Sequence, residues 1–142
     1  MRLFPAAAAS FLCLASAAAL HSQQPCTLLT PARIASVLGH PMNAGAPGPK
    51  NCVWSATDNT FTHVYLSLRD PGAFASFKSA AQATGQLTPA PGLGDDAFYV
   101  GTTLYVHKGT QVLLLRAGAP KLSDTQVQAA EKTLAATAIA SF

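Results

Sequence analysis

The strongest constraint on this chain lies at residues 91–118, PGLGDDAFYVGTTLYVHKGTQVLLLRAG. Three short runs rich in β-branched and aromatic residues, 97–100, 103–107 and 112–117, are separated by glycine-bearing turns at Gly101 and Thr102 and at Gly109 and Thr110. Runs punctuated in this way predict an antiparallel meander. The remaining elements are expected to pair beside it or pack on it. The stretch carries no nucleophile motif, no phosphate loop and no paired metal ligands, so it dictates shape before chemistry.

The amino terminus points to a compartment. Met1 and Arg2 precede residues 3–20, an uncharged run of mostly Ala, Leu and Phe. One basic residue, a short apolar region and small residues at its end predict a secretory signal peptide over residues 1–19, cut after Ala19. A membrane anchor is the competing reading, but the run is marginal for a span and lacks a stop-transfer pattern. Cys13 follows Ser10, Phe11 and Leu12, which is not the small-residue context of a bacterial lipidation site. Residues 20–142 are then a single secreted or periplasmic domain of roughly 120 residues, enough for one core. Nothing after Leu20 reads as a membrane span.

Cleavage removes Cys13 and leaves Cys26 and Cys52. Two thiols in an exported chain predict one disulfide, worth on the order of 3.5 kcal/mol in the chain-entropy model. A zinc site competes poorly, because there is no Cys-x-x-Cys and no histidine at finger spacing. The net charge is only +3, with Lys and Arg scattered. A nucleic-acid partner would need a basic stripe, so none is expected.

Along the chain, Thr30 and Pro31 open a short helix that stops at Gly39, with Ile34, Val37 and Leu38 on one stripe. Residues 41–50 read as a Pro- and Gly-rich loop. Residues 52–56 and 61–68 read as strands; in the second, Thr62, Val64, Leu66 and Leu68 share one face. Asp70 and Pro71 start a second helix with Phe74, Phe77 and Ala81 inward. Residues 85–94 read as a loop. Ser123 to Gln126 has the capping-box pattern and opens a terminal helix with Val127, Ala130, Leu134 and Ile139 inward. The fold class is α+β: about five antiparallel strands with three helices packed mainly on one face.

Three motifs in order, Cys26-Thr27-Leu28-Leu29-Thr30, Cys52-Val53-Trp54 and Gly92-Leu93-Gly94-Asp95-Asp96-Ala97, resemble a family of small bacterial secreted proteins and lipoproteins of unknown function. The resemblance spans nearly the whole mature chain and implies a compact α+β sandwich similar to the PsbP-like fold. It brings no catalytic residues, and the lipid anchor of many members has no counterpart cysteine here.

Asp95 and Asp96 are the only adjacent carboxylates. Neighbours entering a strand point to opposite faces, so turn bonding by Asp95 is preferred over shared acid–base or calcium chemistry. His40 reads as a solvated loop residue, and His21 would chelate copper only if cleavage fell after Leu20. Strand parity places Phe61, His63, Tyr65, Tyr99, Tyr105 and His107 on one sheet face, opposite Val64, Leu66, Leu68, Phe98, Val100, Leu104 and Val106. That aromatic and imidazole face is either a second covered layer or an open recognition platform. The leading expectation is an exported, non-catalytic domain that binds an envelope protein or small ligand there, with no metal and no cofactor. The alternatives are a metal protein or enzyme built on His63 and His107, and a purely structural envelope role.

Overall fold

The computed structural model describes residues 24–142; the expected signal peptide, its cleavage point and His21 lie outside the described residues. The described chain opens with a 3-10 turn, Pro25–Thr27, followed by α1 (Pro31–Leu38). Thr30 caps α1 by accepting the Arg33 N–H at 3.2 Å, and Gly39 ends it. Two short strands, β1 (Ala46–Pro47) and β2 (Asn51–Ser55), lead to β3 (His63–Arg69) and α2 (Pro71–Ala83). The meander follows as β4 (Leu87–Pro89), β5 (Asp96–Val100), β6 (Thr103–Lys108) and β7 (Gln111–Gly118), and α3 (Asp124–Ile139) closes the chain.

All strands join one antiparallel sheet in the order β1-β2-β3-β7-β6-β5-β4. It has seven strands rather than the expected five. The two additional strands are the edges, each with a proline, in segments that read as loops. Proline is tolerated there because an outer strand needs no second row of N–H donors. The residues after α1 also touch the sheet, through an isolated bridge between Met42 and Ala56.

α1 and α3 cover one face. Ile34, Leu38, Val127, Leu134 and Ala138 pack with Trp54, Val64, Leu66, Leu104, Val106, Leu113 and Leu115 in the main core. α2 lies on the other face, where Phe74 and Ala81 pack with Phe98 and Val112. Two helices therefore share a face and the third opposes them. Cys26 and Cys52 are joined in a disulfide, with Cα atoms 5.1 Å apart, and this ties the 3-10 turn to β2. Among the described residues, no helix is long and apolar enough to cross a membrane.

The capping box of α3 forms: Ser123 Oγ accepts the Gln126 N–H while Gln126 Oε1 accepts the Ser123 N–H at 2.9 Å. Asp70 does not follow suit at α2. It makes no capping bond, and its carboxylate meets Lys50 Nζ at 3.4 Å instead.

Candidate functional site

The pairing register decides which side chains share a face. A two-residue turn at Gly101 and Thr102 sets Val100 opposite Thr103, hence Tyr99 opposite Leu104 and Phe98 opposite Tyr105. Opposed residues project from the same side of an antiparallel pair. Tyr99 therefore joins the main core rather than the Tyr/His face expected for it, and Phe98 and Val100 take the outer face. Tyr99 is 6% exposed, and its hydroxyl donates to the Gln128 carbonyl of α3 at 2.7 Å. Burial, with the nearby Glu131 carboxylate second, pushes its phenol up to about 12.

Tyr105 and His107 lie on the outer face but under α2. Phe98 stacks on Tyr105 with ring centroids 4.9 Å apart, and Phe77 meets Tyr105 at 5.2 Å. Phe74 contacts Phe98 at 5.1 Å and His107 at 5.4 Å. Burial raises the Tyr105 phenol, against a smaller opposing pull from Arg69. Lys78 of α2 forms a close ion pair with Asp96, the neighbour of His107 in register. This half of the face is a covered layer.

The other half is not covered in this way. α2 packs on β4, β6 and β7. Toward the β2–β3 side, Val53, Tyr65 and Arg116 stand in register across three strands, with Ser55, His63 and Gly118 in the next row. Tyr65 and His63 are half-buried and Arg116 is exposed, while Phe61, just ahead of β3, is 71% exposed. His63 Nδ1 lies 3.1 Å from the Phe61 carbonyl. A carbonyl only accepts, so Nδ1 carries the proton and Nε2 is left as the acceptor of the neutral ring. The imidazole occupies the space above Gly118, where any Cβ would collide with it.

His63 and His107 cannot share a metal ion. Their partners on β7, Gly118 and Val112, stand six residues apart, which is about 20 Å along a strand. No group of three or more potential metal-ligating side chains clusters among the described residues.

Asp95 and Asp96 divide as turn chemistry requires. Asp95 Oδ2 accepts the Gly109 N–H at 2.7 Å, binding one loop of the meander to the next. Gly94 has φ +56°, and a Cβ there would meet the His107 carbonyl, so only glycine fits. His40, read as a solvated residue, in fact clamps a turn. Its Nδ1 meets Asp58 Oδ2 at 2.8 Å, and that hydrogen bond holds the Asp58 carboxyl below its usual range.

Arg116 and Glu131 escaped the sequence reading. Arg116 alternates with inward Leu115 and Ala117, so period two along β7 marks it as outward. Glu131 falls beside Ala130 on the buried stripe of α3, a position where a charged residue is rarely expected. No family model, curated protein or solved structure matches this chain.

Proposed function

We propose that the chain is an exported, disulfide-stapled binding domain of the bacterial cell envelope, and that it recognises an acidic partner protein through the uncovered part of its outer sheet face. Export rests on the leader-like start of the sequence and on the Cys26–Cys52 disulfide, a bond that persists in oxidising compartments. Resemblance to the secreted and lipoprotein family adds the envelope setting.

The observation that carries the binding role is the row Val53, Tyr65 and Arg116. An aliphatic, an aromatic and a guanidinium group lie side by side across β2, β3 and the Gly118 end of β7, with Val53 and Tyr65 half-buried and Arg116 exposed. Tyr and Arg are the side chains that most often anchor protein interfaces, because each gives broad contact area with a polar tip. The charge is one-sided. Among the outward strand positions of β2, β3, β5, β6 and β7 the single carboxylate is Asp96, already paired with Lys78. A partner presenting carboxylates meets attraction from Arg116 without a competing acid in its row.

The test is amide-resonance titration of the mature protein with a short acetylated peptide of alternating Glu and Leu, against its Lys and Leu counterpart. The Glu peptide should move Val53, Tyr65 and Arg116, and raising salt to about 0.3 M should weaken the response. Tyr65→Ser and Arg116→Ser should each cost about tenfold in affinity. Equal responses to both peptides, or shifts confined to the opposite face, would refute an acid-selective surface. Amino-terminal sequencing of the secreted protein should begin at Leu20 or within a residue or two; intact Met1 in the membrane fraction would refute export by a cleaved leader.

A further inference from the structure

At the far end of β3 from His63, a cavity of about 440 Å³ opens between the 3-10 turn, the loop before β2 and the start of α2. That volume is in the range of small-ligand sites. Its walls are stiff. Pro25, Pro47 and Pro49 fix three backbone angles around it, and Cys26 is tied to β2 by the disulfide. The Lys50 carbonyl accepts from Leu68 N–H at 2.9 Å and from Ser67 Oγ at 3.1 Å, which fastens the loop to β3. A site that needs little ordering on binding loses less entropy to its ligand.

The charges in this cleft are unevenly matched. Lys50, Arg69 and Asp70 all line it. Asp70 meets Lys50 at 3.4 Å, with both side chains mostly exposed, so this pair is weak. Arg69 is exposed, and its guanidinium makes no side-chain hydrogen bond or ion pair among the described residues, with the Tyr105 phenol within its electrostatic reach. Two cations against one anion leave a single positive charge. A monoanion balances it, whereas a dianion such as phosphate is opposed by Asp70. A guanidinium holds a carboxylate through two parallel N–H bonds. The carboxamides of Gln24, Asn51 and Gln111 add neutral donors and acceptors beside the proline walls.

We infer that this cleft binds a carboxylate borne next to an amide, as in a peptide C-terminus or an N-acylated amino acid, with Arg69 as its anchor. Asp70 sets the charge count and Asn51 and Gln111 pair with the amide. The surface around Tyr65 plays no part, so either site can fail without the other.

The experiment titrates the disulfide-intact mature protein with N-acetylglycine, N-acetyltriglycine, the carboxamide of N-acetyltriglycine, and inorganic phosphate, following the amide resonances of Asn51, Arg69 and Gln111. The two acids should shift these resonances saturably below about 10 mM, with the carboxamide at least tenfold weaker. A tighter fit for the triglycine assigns the site to chain termini; equal fits assign it to small acylated acids. Arg69→Gln should erase the preference for acid over carboxamide without moving the melting temperature. Asp70→Asn, which removes no capping bond, should strengthen both acids and admit phosphate. The inference is overturned by equal binding of acid and carboxamide, by phosphate binding more tightly than either acid, by unaltered binding in Arg69→Gln, or by no shift up to about 10 mM.

Discussion

Glu131 of α3 accepts the backbone N–H of Ala117 on β7 through Oε1 at 2.8 Å, while its Oε2 is buried with no hydrogen-bond partner among the described residues. The first contact satisfies a strand donor that lies beyond the end of β6, where the ladder stops at Thr103 and Arg116. The second leaves a polar atom buried on the same helix stripe that carries Leu134 and Ala135 into the main core. Burial outweighs both the Ala117 bond and the attraction of Arg116, and pushes the carboxyl up to about 8.

That displacement fixes a pH dependence. The folded protein keeps a proton that the unfolded chain releases in the ordinary carboxyl range. The stabilising effect is complete below that range, declines as pH rises, and is lost once pH passes about 8. The slope between the two values is at most about 1.4 kcal/mol per pH unit. Glu131→Gln keeps the carbonyl for Ala117 and cannot ionise. Its denaturation midpoint should be flatter with pH and exceed wild type at alkaline pH, on the order of 1–3 kcal/mol. Parallel stability profiles for the two proteins from about pH 5 to about pH 9 would contradict this account.

The contact between His63 and Gly118 predicts a non-additive pair. Gly118→Ala places a Cβ into the imidazole and should cost about 1–3 kcal/mol while breaking the His63 bond to the Phe61 carbonyl. His63→Ala empties the same space, so the double variant should be more stable than the sum of the single changes implies. Chemical denaturation of all four proteins reads the coupling directly; additive losses would show that the ring simply swings aside.

Tyr65 and Tyr105 should separate cleanly in thermal melts. Tyr105 stacks on Phe98 and meets Phe77 at a tilt, so Tyr105→Ser removes a packed ring and should cost several kcal/mol. Tyr65 is half-buried and makes no ring contact among the described residues, and Tyr65→Ser should cost under about 1.5 kcal/mol. Comparable large losses in both would mean that the β2–β3 side of the face is a packed layer and no recognition surface.

The staple should be thermodynamically visible. Cys26→Ser with Cys52→Ser opens a loop whose ends are 26 residues apart and should lower stability by about 2–5 kcal/mol. No free thiol should titrate in folded protein spanning residues 20–142. Two reactive thiols, or an unchanged midpoint in the double variant, would argue against a stabilising bond.

Much of this architecture was legible from local chemistry. Caps at Thr30 and Ser123, the stop at Gly39 and the glycine turns of the meander act within a few residues, and they bounded α1, α3 and β5 to β7 closely. The edge strands β1 and β4 were missed because Pro47 and Pro89 argue against a strand, and only a neighbouring strand supplies the hydrogen bonds that overrule them. The misplacement of Tyr99 had a different origin. Each strand's parity followed its own apolar content, whereas the two-residue turn at Gly101 and Thr102 already counted Tyr99 opposite Leu104.

By itself the sequence determined the three helices, the central strands and the α+β class, because caps, periodicity and turn residues act through bonds a few residues long, and it pointed to the Cys26–Cys52 bond through cysteine count and compartment. Only the tertiary structure decided that α2 shields Tyr105 and His107 but not Tyr65, that the carboxyl of Glu131 is buried, and that Lys50, Arg69 and Asp70 meet around one cavity. Those facts depend on where a helix lands on a sheet and on which distant loops converge. That placement comes from excluded volume and apolar burial summed over the whole chain, which no local run of residues encodes.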